Sequence, residues 1–464
     1  MSAEVKTLYI IDPALTERRG HMYNIAVGLA EVARRAGIRC VVFANRSFQC
    51  GPGEDSFLVP HFTETTLATG TATSAAWKYL NLNRLFFGEL KALSKAYDFT
   101  DSIVVFPTAN QNLIDAIQRW NLLLPAEGNT TLIVSLMLQA GILFQSESDF
   151  IVTDQEMANL YRAALAGFAR PGQENCVLCS NTEPLIRAYR ALYGRPIRFH
   201  PTLCGTPDPQ HLLEGRAARQ AAQRPRVVLN LGELKPDKGF HLVPEILVQS
   251  LERGIQADFV IHITGTEYML LERYWDEITL LRRIQASDLA VTSGQGFVHR
   301  ERFPDYAALL ARIPPSDSRI ELIDGFLSPD EYYRTLSGAS AIVLPYSLEQ
   351  YRDMSSGVLT EALYCEVPVV VPSGSWLALE AQTYGTGHQT FDGVDPTAAT
   401  DALERLLADL PGHAARCAEA GERYRDANGF QRFLDIAIQW HNEPRPQPPT
   451  IGHAGGMAGR PIFA

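Results

Sequence analysis

The chain has 464 residues, too many for one ordinary hydrophobic core, so two domains of comparable size are expected. Its 41 basic residues against 52 acidic ones leave a net charge of -11, which argues against a dedicated nucleic-acid binder with its basic footprint. With 46% hydrophobic and 20% charged residues the composition is globular, and no apolar run approaches the ~18 residues that span a bilayer.

TLYIIDP (7–13) is a short apolar run closed by Asp12 and Pro13, a first strand and not a signal peptide. The helix-like NIAVGLAEVARRAG (24–37) and the run RCVVFANR (39–46) follow. SIVVFPT precedes a helix ending near Trp120, TLIVSLML precedes one near 153–168, and NCVLCSN precedes EPLIRAYRALYG. Continuous apolar runs separated by helices predict parallel sheets covered on both faces. The pattern restarts after residue 226 with VVLNLGE, HLVPEILVQSLERG and DFVIHITG, then RIELIDG, AIVLPY and VPVVVP. Between the halves, TPDPQHLLEGRAARQAAQRPR (206–226) is polar and flanked by prolines, as an interdomain linker would be.

The predicted architecture is two doubly wound α/β domains, over 1–205 and 227–428. A helix over 429–441 and a Pro- and Gly-rich tail over 442–464, expected to be mostly disordered, follow. In such folds ligands bind at the carboxyl ends of strands, where loops enter helix N-termini.

Two such loops carry chemistry. In LGELKPDKGFHLVPEIL (231–247) a strand turns through Gly232 and a helix opens near His241, with Lys235 and Lys238 beside Gly239. Cations there, with helix amides nearby, suit a diphosphate; taken alone, the loop reads first as a solvated one. In YSLEQYRDMSSGVLTEALYCEVPVVVPSG (346–374) a helix opens around Ser355, Ser356 and Gly357. Asp353 stands before it and Glu361 about one turn inside it. Amides free at that N-terminus would face phosphate or sugar oxygens, and the carboxylates would take hydroxyls. A capping serine with an ordinary interior glutamate is the plainer alternative.

Together with the intervening IDGFLSPDEYYRTLSGASAIVLPYS, these segments resemble the retaining, metal-independent glycosyltransferases of the GT-B fold. The nearest resemblance is to glycosyltransferase family four and its Glu-x(7)-Glu signature. It is strong over about 226–390, and ERRGHMYNIAVGLAEVARRAGIRCVVFAN is similar to that family's first loop and helix. The resemblance implies two Rossmann-like domains facing a cleft, a C-terminal helix crossing back, and transfer of a sugar from a nucleotide donor to a glycan or lipid-linked acceptor.

It also implies roles. Lys238, with Lys235, would neutralise the donor diphosphate; Glu361 would hold the ribose hydroxyls and Asp353 the transferred sugar. Ser355, Ser356 and Gly357 would sit by the sugar and distal phosphate, Phe326 and Leu327 by the base. Gly20 and His21 would close over the diphosphate from the first domain. No metal and no cofactor besides the donor is implied. Three positions depart from the family pattern: Glu233 stands where an arginine is usual, Asp353 is one methylene shorter than the usual glutamate, and 266–318 is longer than the usual connection. That stretch includes EYMLLERYWDEITLLRRIQ, expected as an added helix.

Other signals are set aside. Cys176 and Cys179 lie in an apolar strand with no second pair to complete a metal site. There is no Asp-x-Asp, no GxxxxGK[ST], and GQG at 294–296 is a lone glycine pair. Seven scattered cysteines fit a reduced, cytoplasmic protein. The arginine pairs 18–19, 34–35 and 282–283 raise peripheral contact with an anionic membrane as a further expectation. The alternatives carried are a nucleotide-sugar-binding protein without transferase activity and, further off, a sugar-nucleotide epimerase or a phosphorylase.

Overall fold

The computed structural model describes residues 5–18, 20–51, 56–67, 74–125, 127–144, 149–205, 210–264, 277–278 and 319–444. The segment expected to be an added helix, residues 267–285, lies outside these except for Glu277 and Ile278, and so do 294–296 and 445–464.

The first half of the chain forms β1 (Thr7–Ile11), β2 (Arg39–Asn45), β3 (Leu58–Phe62), β4 (Ser102–Ala109) and β5 (Thr131–Leu136). They are followed by a hairpin, β6 (Ile142–Phe144) and β7 (Phe150–Val152), then β8 (Cys176–Ser180) and β9 (Arg198–Phe199). Apart from the hairpin these strands build one parallel sheet in the order β3-β2-β1-β4-β5-β8-β9. Every residue of β1, β4 and β5 is buried, because helices cover both faces and leave no solvent side to alternate toward. The hairpin is antiparallel and was not foreseen: all three residues of β7 are exposed apolar side chains, so no inward-outward alternation marks it.

The second half repeats the plan with β10 (Arg226–Asn230), β11 (Asp258–Ile263), β12 (Ile320–Asp324), β13 (Ala341–Val343), β14 (Val369–Pro372) and β15 (His388–Phe391). Its parallel order is β12-β11-β10-β13-β14-β15. Each sheet runs outward from its first strand in both directions, the doubly wound arrangement whose ligand crevice lies at the strands' carboxyl ends.

The 206–226 stretch read as a linker contains a helix, Gln210–Ala221. Its polar sequence hid a narrow buried stripe, His211 and Gly215, four residues apart. Gly215 packs where a Cβ would overlap Ser337, His211 stacks on Tyr333 at 5.9 Å, and Arg216 pairs with Glu366 at 2.7 Å. This helix therefore seats on the second domain. Glu366, almost wholly buried, also takes Arg425 at 2.9 Å, so two guanidinium groups offset its burial and hold its pKa below the usual carboxylate value.

The chain returns to the first domain at its end. Helix Phe430–Asn442 lies against helix Gly20–Arg35, where Gly28 leaves room for the Phe430 ring, and Phe433, Leu434, Ala437 and Trp440 are buried beneath it. Arg198 grips Glu443 through two bonds, 2.6 and 2.8 Å, while its guanidinium covers Trp440. The two interdomain crossings run side by side: Cys204 bridges Gly429, and the Cys204 N–H donates to the Asn428 carbonyl at 3.3 Å. Among the described residues no helix is long and apolar enough to cross a membrane, and all seven cysteines are free.

Candidate functional site

A cleft of about 560 Å³ opens where the carboxyl ends of the two sheets face each other. Of the eleven residues singled out in the sequence, ten line it: Gly20, His21, Lys235, Lys238, Phe326, Leu327, Ser355, Ser356, Gly357 and Glu361. The exception is Asp353. It is buried and is not among the residues that line the cleft, and its backbone carbonyl accepts from the Thr182 hydroxyl at 2.7 Å. Glu361 sits inside helix Gly357–Tyr364, whereas Asp353 precedes that helix, so the spacing of seven does not fix its position. Burial pushes the Asp353 carboxyl above its ordinary value, with Arg352 and Arg187 opposing.

Lys238 ends a short turn, Pro236–Lys238, closed by Gly239 at φ +69°. At Gly239 a Cβ would overlap the Pro345 carbonyl oxygen, so only glycine lets this loop lie against the end of β13. Gly232 takes φ +95°, which favours glycine for conformational reasons, and the Lys238 ammonium stands at ordinary contact distance, 3.7 Å from where its Cβ would be. Desolvation, helped by Lys235, lowers the Lys238 pKa, so an anion brought beside it would gain a poorly hydrated counter-charge. Lys235 is exposed and pairs with Glu233 at 2.9 Å: the residue that replaces an expected arginine also occupies the neighbouring cation.

Helix Gly357–Tyr364 is capped by Ser356, whose hydroxyl accepts from the Leu359 N–H at 3.3 Å. Thus the cap and the ligand-facing turn are the same residues. Glu361, 7% exposed, is held on both oxygens. Tyr332 donates to Oε2 at 2.6 Å; Tyr333 stands 3.2 Å and the Asn24 amide 3.4 Å from Oε1. Burial raises the Glu361 pKa, while these three bonds and Lys238 pull it back.

The first domain meets this wall directly. His21 lies across the start of the Ser356-capped helix, its Nδ1 3.4 Å from where a Gly357 Cβ would sit, and burial lowers its pKa to about 4. It is therefore neutral at pH 7. Asn181 donates to the Ser355 hydroxyl at 2.8 Å, and Gln139 donates to the Glu349 carbonyl at 2.9 Å. On the far side His262 joins two loops: the Gly232 N–H donates to Nδ1 at 3.1 Å, and Nε2–H donates to the Gly325 carbonyl at 2.7 Å. With both nitrogens engaged, His262 is neutral, and burial lowers its pKa.

The sequence reading missed Asn24, Tyr332, Tyr333, His262 and Thr264, all on the cleft wall. The first three fall inside segments that carry the family resemblance, but nothing local marks them as facing a ligand. Among the described residues no group of three or more His, Cys, Asp or Glu is placed to hold a metal ion. Arg34 and Arg35 both engage Glu31, at 2.8 and 2.9 Å, so that pair is already matched by a carboxylate on its own helix. Residues 19, 282 and 283 lie outside the described residues.

No protein-family profile and no curated protein sequence matches the chain. Solved structures do. The chain is similar to the UDP-forming α,α-trehalose-phosphate synthase of Burkholderia xenovorans, at 12% identity and TM-score 0.62 over 94% of this chain and 98% of that one. It is similar to sucrose-phosphate synthase from Thermosynechococcus elongatus, at 15% identity and TM-score 0.56 over 94% and 97%. A third is Anabaena HepE in complex with UDP and glucose, at 12% identity and TM-score 0.54 over 94% and 99%. At these identities the likeness establishes the fold: the chain has the GT-B architecture, two Rossmann-like domains facing a central cleft.

Proposed function

We propose that the chain is a glycosyltransferase that moves a sugar from a nucleoside-diphosphate donor to a glycan or lipid-linked acceptor, with retention and without a metal. One observation carries the reading: Lys238, the Ser356-capped helix start and Glu361 converge on a single interdomain cleft. A half-buried ammonium, free helix amides and a buried carboxylate in a row suit a diphosphate followed by a ribose diol. The solved neighbours include a protein bound to UDP and glucose in the same fold.

In this reading Lys238 takes up charge as the sugar–phosphate bond breaks, and the departing phosphate oxygen accepts the proton of the attacking acceptor hydroxyl on the same face. Catalysis then rests on positioning and on a cation already in place. Neutral His21 would contribute hydrogen bonds and not charge. Closure of the domains about the paired crossings at Cys204 and Gly429 would exclude water. The test is donor turnover: Lys238→Ala and Glu361→Ala should each lower it by at least about a hundredfold. Unchanged turnover in either would overturn the assignment.

A second reading is a GT-B protein that binds nucleotide sugars and transfers nothing. Two observations favour it: Glu233 occupies Lys235, and Asp353 is absent from the cleft wall. Nucleotide-sugar binding with neither transfer nor donor hydrolysis would select it.

A further inference from the structure

Thr264 follows β11, is 6% exposed and lines the cleft. Its carbonyl is committed to the Leu234 N–H at 2.9 Å, but among the described residues its hydroxyl has no hydrogen-bond partner. A buried hydroxyl with no partner costs stability, so its persistence in a ligand-sized cleft points to a ligand atom that satisfies it.

Its place along the sheet says which part of the ligand. The neighbours run β12, β11, β10, β13. Lys238 follows β10 and Glu361 follows β13, whereas Thr264 comes directly after β11, level with the segment after β12 that carries Phe326 and Tyr332, and the Tyr332 hydroxyl donates to Glu361 at 2.6 Å. A donor with its diphosphate at Lys238 and its ribose at Glu361 carries its base on that ribose, and the contact of Glu361 with Tyr332 directs the base toward the segment after β12, beside Thr264. His262, two residues earlier, has both ring nitrogens tied to Gly232 and Gly325, so it cannot also read a base. The Thr264 hydroxyl, both donor and acceptor, can pair with a base-edge carbonyl or amino group, and Phe326 beside it is 52% exposed.

We propose that Thr264 determines which nucleobase the donor carries, its hydroxyl bonding the edge of the base; this rests on the nucleoside-diphosphate reading above. The test is calorimetric titration of UDP, CDP, GDP and ADP into wild type, Thr264→Val and Thr264→Ser. Wild type should prefer one base. Thr264→Val should lose about tenfold in affinity for that base alone, because a group built to bond a polar atom is gone. Thr264→Ser should stay within about twofold of wild type. The ligand-free Thr264→Val protein should melt no lower than wild type, since an unsatisfied hydroxyl has been replaced by a methyl group of the same shape.

Equal losses across all four nucleotides would place the hydroxyl on ribose or phosphate and overturn the proposal. So would a Thr264→Val protein with wild-type selectivity, which would leave the nucleotide reading standing. Wild type binding none of the four would overturn that reading, and this inference with it.

Discussion

Asn24 of the first domain donates to Glu361 of the second at 3.4 Å, and to the Tyr333 hydroxyl at 3.2 Å. Tyr333 in turn donates to the Gly205 carbonyl at 2.7 Å, at the point where the chain leaves the first domain. The Tyr333 hydroxyl has one proton and its shorter bond is to Gly205, so the Asn24 amide, with one hydrogen toward the Tyr333 oxygen, supplies the other to Oε1. The carboxylate assigned to the nucleotide is thus bonded to both domains and, through Tyr333, to the crossing between them. Any ligand that gains from an oriented Glu361 gains from domain closure, and closure gains from the ligand by the same free energy.

Asn24→Ala should therefore weaken nucleoside-diphosphate binding by about tenfold, near 1.4 kcal/mol, and reduce the compaction seen by small-angle scattering on adding nucleotide. A drop in affinity with full compaction would show that Asn24 acts on the ligand alone.

Glu233 gives a prediction of opposite sign. It holds Lys235 at 2.9 Å and adds a negative charge beside the proposed diphosphate position. Glu233→Arg removes that charge and releases Lys235, so diphosphate affinity should rise by about three- to tenfold, an effect that 0.5 M salt should diminish. Affinity that falls on this exchange would locate the diphosphate elsewhere.

Two glycines separate backbone strain from crowding. Gly194 has φ +73° with nothing within 4 Å of a Cβ, so Gly194→Ala should cost only the left-handed penalty of about 1 kcal/mol. Gly239 has φ +69° and would drive a Cβ into the Pro345 carbonyl, so Gly239→Ala should cost about 3 kcal/mol or more and displace the Lys238 loop. Chemical denaturation of both variants checks the contrast.

Asp12 supplies a pH prediction. It is buried after β1, one oxygen accepting from the Ala14 N–H at 2.9 Å, and burial raises its pKa from 3.8 to about 6. Between those values the folded chain binds more protons than the unfolded one, so this contribution to stability is full below 3.8 and is lost as pH rises through about 6. Asp12→Asn keeps the acceptor and removes the charge. It should stabilise the protein by about 1–3 kcal/mol at pH 7 and change little at pH 3.5, as thermal melts at both values would show.

What the sequence disclosed was what depends on neighbours in the chain. Ser356 is a cap and Gly239 a turn for local steric reasons, and apolar runs mark buried parallel strands because no face is left for solvent. Hence the fold and ten residues of the cleft were legible. Asn24 and Glu361 are 337 positions apart and meet only because two domains dock, so no spacing announces them. Thr264 acquires meaning from strand order, which places β11 between β10 and β12. Asp353 shows the limit of a spacing argument: its distance from Glu361 matches a motif, but it precedes the helix, so helix geometry does not fix where it sits. The helix Gln210–Ala221 was read as linker because its buried stripe is only two residues wide.

The most direct measurement is a thermal-shift comparison of wild type and Glu361→Ala against UDP, GDP, ADP, CMP and dTDP, with and without a chelator. A bound ligand raises native stability with the logarithm of its concentration over Kd. The predicted result is a chelator-resistant rise for one diphosphate in wild type and its loss in Glu361→Ala, with the variant still folded. No rise with any nucleotide, or an equal rise in both proteins, would contradict the assignment of this cleft to a nucleoside-diphosphate donor.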